Sequence, residues 1–167
     1  DVLDFTRLQH GHLTVRLSLV TLDPLLRELI DSFSLQAASR GLRLESEAIP
    51  NVQLLADAHH VKRILANLIT NAIKYTDEGS VRIRFCCSDN ILEIRVVDSG
   101  IGVPEGERSA LFSEFERLSN SDGRQGIGLG LALTKALAER NGGYVFHQPN
   151  SNTGSTFGVG IPLADPK

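Results

Sequence analysis

Apolar and polar positions change their period several times along the chain, and each change marks an element. Residues 1–10 (DVLDFTRLQH) place Val2, Phe5 and Leu8 on one helical side and are closed by Gly11, so they predict the tail of a helix. Residues 13–20 (LTVRLSLV) alternate apolar with polar as a half-buried strand does. Asp23 and Pro24 then supply an N-cap and a first-turn proline for a helix to about Arg40, with Gly41 as its C-terminal cap. Short strands at 42–47 and 52–56 precede a second long helix, 58–76, whose apolar side carries Val61, Leu65, Leu68, Ile69, Ala72 and Ile73. Strands at 81–87 and 91–98 are joined by a tight Asp89-Asn90 hairpin.

After Asp98 the texture turns to glycine and polar residues, interrupted by a short amphipathic piece at 108–118 and a polar stretch at 119–125. A loop of that length within one domain is usually functional. A third helix is predicted over 128–141, and strands at 144–148 and 156–162 close the chain. Helices alternate with strands, but hairpins occur among the strands. The expected fold class is therefore α/β: a two-layer α/β sandwich with a mixed, mainly antiparallel sheet and helices on one face.

Composition narrows the function classes. With 167 residues, 41% hydrophobic and 22% charged, the chain is an ordinary globular domain able to bury its own core. A net charge of −3 without a basic run argues against nucleic acid as a partner. No apolar run approaches the roughly 18 residues of a membrane span, so no direct membrane insertion is expected. Adjacent Cys86 and Cys87 point to opposite sides of a strand, one buried and one exposed; reduced thiols and a cytoplasmic setting follow as the expectation. Methionine is absent even at position 1, and the chain reads as a piece of a longer protein.

Three places carry candidate chemistry. On the second long helix, Asn67, Asn71 and Lys74 fall within roughly 60° of one another, away from the apolar side. Amide oxygens are hard neutral ligands suited to Mg²⁺ beside substrate phosphates. A solvated helix face is the plain alternative, although two asparagines are poorer helix formers than the Glu and Lys that surfaces usually carry. Asp98 ends an apolar strand and runs into Ser99-Gly100-Ile101-Gly102, where a carboxylate beside a close-lying backbone can accept from an exocyclic amine, or simply form an Asp-Ser-Gly turn. Gly126-Ile127-Gly128-Leu129-Gly130 precedes the third helix, whose free N–H groups would cradle phosphate; the run matches neither a Walker loop nor a dinucleotide loop. A last cluster, Gly154-Ser155-Thr156-Phe157, opens the final strand.

The order of these pieces, with the run Asn67-Leu-Ile-Thr-Asn71-Ala-Ile-Lys74-Tyr75-Thr76 and Phe112 and Phe115 between the glycine segments, resembles the ATP-binding catalytic domain of sensor histidine kinases in the GHKL superfamily. The resemblance implies a Bergerat-type fold over 13–167, with 1–12 as the end of a dimerisation and phosphoacceptor hairpin helix plus linker. It implies ATP and Mg²⁺ as cofactors. Asn71 would ligate the metal with Asn67 as its companion, Lys74 would meet the phosphates and Tyr75 would lie near the nucleotide. Asp98 would recognise adenine with Gly100 and Gly102 beside the base, and Thr156 would be the hydroxyl residue near that end. Phe112 and Phe115 would form the F box. Residues 119–125, with Arg124, would form an ATP lid, and Gly126, Ile127, Gly128, Leu129 and Gly130 the second glycine box.

Superfamily members that hydrolyse ATP place a glutamate base four residues before the metal-binding asparagine. Asn67 stands there, and an amide has too little proton affinity to activate water. The implied activity is transfer of the γ-phosphoryl group to a histidine on a separate dimerisation domain, with a response regulator receiver domain as a further partner of the full-length protein. None of His10, His12, His59, His60 or His147 begins the family's acceptor motif. A catalytically degenerate nucleotide-binding or interaction module, and a GHKL serine kinase or ATPase, are the alternatives.

Overall fold

The structure, a computed structural model, describes residues 2–115, 117, 119 and 129–164. In chain order it contains α1 (Val2–Gln9), β1 (Ser18–Thr21), α2 (Leu22–Ser39), β2 (Arg43–Ser46), β3 (Gln53–Ala56), α3 (Ala58–Lys74), β4 (Ser80–Ser88) and β5 (Ile91–Asp98). A 3-10 turn at Glu105–Ala110, then α4 (Gly130–Arg140), β6 (Tyr144–Pro149) and β7 (Ser155–Pro162) complete it.

Five strands form one sheet in the order β2-β4-β5-β7-β6; β2 runs parallel to β4, and the remaining neighbours pair antiparallel. The period of two on these strands sends Val81, Ile83, Leu92, Ile94, Val96, Val159 and Ile161 to one face. There they join Leu26 of α2, Ile64, Leu65, Leu68 and Ile69 of α3, and Leu133 and Leu137 of α4 in one core. Each fully buried Leu or Ile contributes roughly 1.5–3 kcal/mol relative to exposure, so this face fixes where the helices sit. The opposite face carries Arg84, Glu93, Arg95 and Phe146. This is the two-layer α/β sandwich expected, with β1 and β3 as a separate antiparallel pair.

Several local expectations change. The alternation at 13–20 yields strand only at Ser18–Thr21, because the preceding backbone bonds to side chains: Arg16 N–H donates to Asp57 Oδ2 at 2.9 Å and Leu13 O accepts from Arg140 at 3.0 Å. Helix α2 starts one residue before Asp23, with Thr21 at the N-cap position and no side-chain cap; Asp23 instead pairs with Arg27 one turn on. Its C-terminus is as expected: Gly41, at φ +72°, donates to Ala38 O while Leu42 donates to Ala37 O, a double bond pattern that satisfies two terminal carbonyls. Cys86 and Cys87 are both exposed, on the part of β4 beyond its pairing with β2, which ends at Ile83. The expected piece at 108–118 is a 3-10 turn ending at Ala110.

Helix α1 packs on the start of α4 through Phe5, Leu129 and Ala132, and Asp4 pairs with Arg63 of α3.

Candidate functional site

Helix α3 is fixed at both ends before it presents any chemistry. Asp57 caps its start, accepting from the N–H groups of His59 and His60 at 3.0 and 3.3 Å. Asn141, just past α4, binds the same corner: its Oδ1 accepts from Asp57 N–H at 2.8 Å and its Nδ2 lies 3.0 Å from His60 Nδ1. His60 is thereby a structural residue, kept neutral by burial, which holds its imidazole below the ordinary range against the pull of Asp57.

Beyond that corner, α3 turns Asn67, Asn71 and Lys74 to one side, all half-buried. Asn67 Nδ2 donates to Thr134 Oγ1 on α4 at 3.3 Å, and Thr134 Oγ1 donates to Gly130 O at 2.8 Å, so Asn67 is tied to the first turn of α4. Asn71 makes no side-chain hydrogen bond among the described residues. Lys74 Nζ lies 5.0 Å above the Tyr75 ring. Tyr75 ends α3, and its carbonyl accepts from Ile101 N–H at 3.1 Å, which brings the helix end against the loop after β5.

That loop is held from both sides around Asp98. The carboxylate is 5% exposed, and its Oδ1 accepts from Gly100 N–H at 2.9 Å and Ser155 N–H at 3.1 Å. Oδ2 accepts nothing from the described residues. Burial pushes this carboxyl up to about 6, with the two backbone N–H groups pulling the other way. The Asp98 carbonyl accepts from Asn150 Nδ2 at 2.7 Å, and the Gly100 carbonyl from Thr153 Oγ1 at 2.8 Å. A Cβ at Gly100 would collide with the Tyr75 carbonyl, so glycine is required there by close approach.

The structure therefore brings Asn67, Asn71, Lys74, Tyr75, Asp98, Gly100 and Gly130 to one region between α3, the end of β5 and the start of α4. Gly102 lies in the same loop against Gly154. Leu129 is at the head of α4, but its side chain is buried against Phe5 and Ala132. Thr156 is a correction. It pairs with Val97 and donates to Asn150 Oδ1 at 2.7 Å, on the sheet face away from the Asp98 carboxylate. Ser155, 3% exposed, takes the place beside Asp98. The signal was in the strand's own alternation, since Ser155, Phe157, Val159 and Ile161 share parity and the last two are core residues.

One neighbour of this region, His147, had no sequence signal. His147 Nε2 lies 3.0 Å from Ser155 Oγ, and its ring meets Phe157 at 4.8 Å. Burial and nearby Arg108 depress its imidazole. Phe112 meets Phe157 edge-on at 6.3 Å, whereas Phe115 is 64% exposed and joins nothing in this cluster. Arg124, Gly126, Ile127 and Gly128 lie outside the described residues, as does most of 119–125; Ser119 bonds the Glu107 carboxylate through N–H and Oγ, each at 3.0 Å.

Among the described residues no three His, Cys, Asp or Glu side chains gather as a metal site. A cation held here would be held by the amide oxygens of Asn71 and Asn67 together with oxygens of its ligand, a hard donor set that fits Mg²⁺. An unclaimed, buried carboxylate oxygen beside a close-lying backbone suits an amino group on a flat ring.

The chain matches the family model described as "Histidine kinase-, DNA gyrase B-, and HSP90-like ATPase" over residues 56–165. It is 33% identical to "Two-component system protein A" of Emericella nidulans over 172 residues, covering 94% of this chain and 25% of that protein. It is 34% identical to "Circadian input-output histidine kinase CikA" of Synechococcus elongatus over 168 residues, covering 97% of this chain and 22% of that one. The chain thus spans a quarter or less of the length of these relatives. Among solved structures, full-length ShkA in complex with AMPPNP superposes with a TM-score of 0.85 at 29% identity, covering 99% of this chain and 35% of that one.

Proposed function

Because the chain belongs to the histidine kinase-, DNA gyrase B- and HSP90-like ATPase family, we propose that it is the ATP-binding catalytic domain of a sensor histidine kinase. It would present the γ-phosphoryl group of ATP to a histidine on a dimerisation domain of the full-length protein, from which a receiver domain takes it. Residues 1–12 would be the end of that domain's hairpin helix with its linker, and 13–167 the catalytic domain.

The observation that carries the reading is Asp98: a buried carboxylate whose Oδ1 is satisfied by two backbone N–H groups and whose Oδ2 is free of the described residues. An adenine amino group would donate to that oxygen, with Gly100 and Gly102 letting the base lie close. Asn71 and Asn67 would hold Mg²⁺, which supplies neutralisation of phosphate charge when bound. Lys74 and Arg124 would meet the phosphates, with backbone N–H groups of 126–130 completing the cradle.

Transfer needs position and charge more than covalent chemistry from this domain. An imidazole nitrogen of the acceptor forms the new P–N bond as the bond from the γ-phosphorus to the bridging oxygen breaks and ADP leaves. Helix α3 contains no Asp or Glu, so it offers no carboxylate to activate water, and the bound nucleotide is kept for the histidine.

Titration calorimetry with Mg²⁺–ATP tests the binding half: wild type binds, and Asp98→Ala, which removes a hydrogen bond to a charged group of about 1.5–3 kcal/mol, weakens binding at least tenfold. Unchanged binding rejects the assignment. Labelled ATP with a separately produced histidine-bearing hairpin tests the transfer half. Label on the hairpin supports it, and label on a partner's serine overturns it.

A further inference from the structure

The face of the sheet turned away from the helices carries a cleft remote from the Asp98 carboxylate. It is about 510 Å³ and is lined by Arg84, Arg95, Val97, Gln148 and the turn 149–153 with Thr156. That volume is within the range of small-molecule sites.

Its charge is one-sided. Among the described residues the charged groups lining it are Arg84 and Arg95, and these two stand directly opposite each other on β4 and β5. Like charges in that register are destabilising. Each guanidinium has one carboxylate partner outside the cleft, Arg84 with Glu47 at 2.8 Å and Arg95 with Glu93 at 2.6 Å. Arg95 is further held by the Phe146 ring, 5.5 Å from its guanidinium carbon, and that ring sits over Gly158, where a side chain would collide with it. Held this way, Arg95 Nε is buried with no hydrogen-bond partner. A buried donor left unpaired costs about 1–3 kcal/mol.

Of the hydroxyls at the cleft, those of Thr156, Thr153 and Ser99 are already committed, and that of Ser151, among the described residues, is not. Thr156 Oγ1 donates to Asn150, Thr153 Oγ1 to the Gly100 carbonyl and Ser99 Oγ to the carbonyls of Glu78 and Ser80. The charged donors offered to an occupant are guanidinium N–H groups, which match the paired oxygens of a phosphate or carboxylate, beside the neutral donors of Gln148, Ser151 and Asn152.

The geometry points to an oxyanion site: a small molecule bearing a phosphate or carboxylate group binds over Arg84 and Arg95. An oxyanion between them replaces repulsion with two attractive contacts. The occupant also touches Asn150 and Thr153, the residues that brace the loop carrying Asp98 from behind.

Side-chain Nε–H resonances of the arginines, followed during titration with inorganic phosphate and separately with citrate at constant ionic strength and pH, test it. Saturable shifts at Arg84 and Arg95, with Arg27 unmoved in its ion pair on α2, support the site; saturation by phosphate alone or citrate alone supports it and assigns the class. Arg84→Gln, a change at an exposed pair, should weaken the saturable binding at least tenfold, and Arg95→Gln should do the same. Should Arg95→Gln fail to fold, Arg84→Gln decides. Shifts that grow linearly and equally at Arg27, saturation that survives in Arg84→Gln, or no shift with either anion overturns the proposal.

Discussion

Gly154 lies against the main chain of Asp98 so closely that a Cβ built on it would collide with the Asp98 carbonyl oxygen, and its φ of +86° is one that L side chains rarely adopt. Both constraints act on the segment that aims the buried carboxylate. Gly154→Ala therefore combines backbone strain with a steric shift, together roughly 3 kcal/mol or more of lost stability by denaturant unfolding. At a temperature where the variant stays folded, nucleotide affinity should still be reduced, because Ser155 N–H and Asn150 lose their register on Asp98. An alanine variant with wild-type affinity and stability would show that the loop is indifferent to this contact.

The pH response of Asp98 has opposite signs for folding and for binding. Its carboxyl is raised from 3.8 to about 6, chiefly by burial. The interior favours the neutral acid, so the stability it contributes is full below about pH 4 and is lost as pH rises through about 6. A donor from a ligand is best accepted by the charged form, so ATP affinity should rise over the same interval. Asp98→Asn keeps an oxygen for the Gly100 and Ser155 N–H groups and should remove both trends. Calorimetric titrations and urea melts at pH 5 and pH 7.5 provide the check.

Much of this was legible in the sequence because the periods were long and uninterrupted. Helix α3 and strands β4 and β5 came out within two residues, and the stripe of Asn67, Asn71 and Lys74 follows from helix geometry alone. Where reading failed, a tertiary partner outweighed a local pattern. Residues 13–17 alternate like a strand, but Arg16 N–H and Leu13 O find partners in Asp57 and Arg140, 41 and 127 residues away. Thr156 and Ser155 are both hydroxyl residues in one motif, and only strand parity separates the face that meets Asp98 from the one that meets Asn150. Nothing local marked Asn141, two of whose side-chain bonds join the start of α3 to the end of α4.

The Asn67 amide and the Thr134 hydroxyl, 3.3 Å apart, form the side-chain link between the two helices that border the site. Thr134 is fully buried, so Thr134→Val preserves shape while removing the hydroxyl. In a double-mutant cycle with Asn67→Ala, the coupling energy should be about 0.5–1.5 kcal/mol, the net value of a neutral hydrogen bond. Thr134→Val alone should also weaken ATP binding several-fold by releasing the Asn67 side chain, although position 134 itself carries no ligand-facing group in this reading. Zero coupling would mean that Asn67 is oriented by something other than α4.

Asn141 holds the opposite end of α3, and its replacement should be among the most damaging of the polar changes. Its Oδ1 takes Asp57 N–H at 2.8 Å, its Nδ2 donates to Leu137 O at 2.7 Å, and the same nitrogen lies 3.0 Å from His60 Nδ1. With the amide donating, Nδ1 is the accepting nitrogen and the ring is neutral, in keeping with its depressed imidazole. Asn141→Ala leaves Asp57 N–H unpaired in a buried corner, a loss of about 1–3 kcal/mol for that group alone. The pH dependence should change too. A depressed histidine contributes stability above its ordinary value of 6.5 that is lost as pH falls through its folded value, and relaxing the corner to admit water should shrink that acid-side loss. Urea melts of wild type and Asn141→Ala at pH 5 and pH 7.5 measure both effects; equal stability of the two proteins at pH 7.5 would show that the corner is held by packing rather than by this amide.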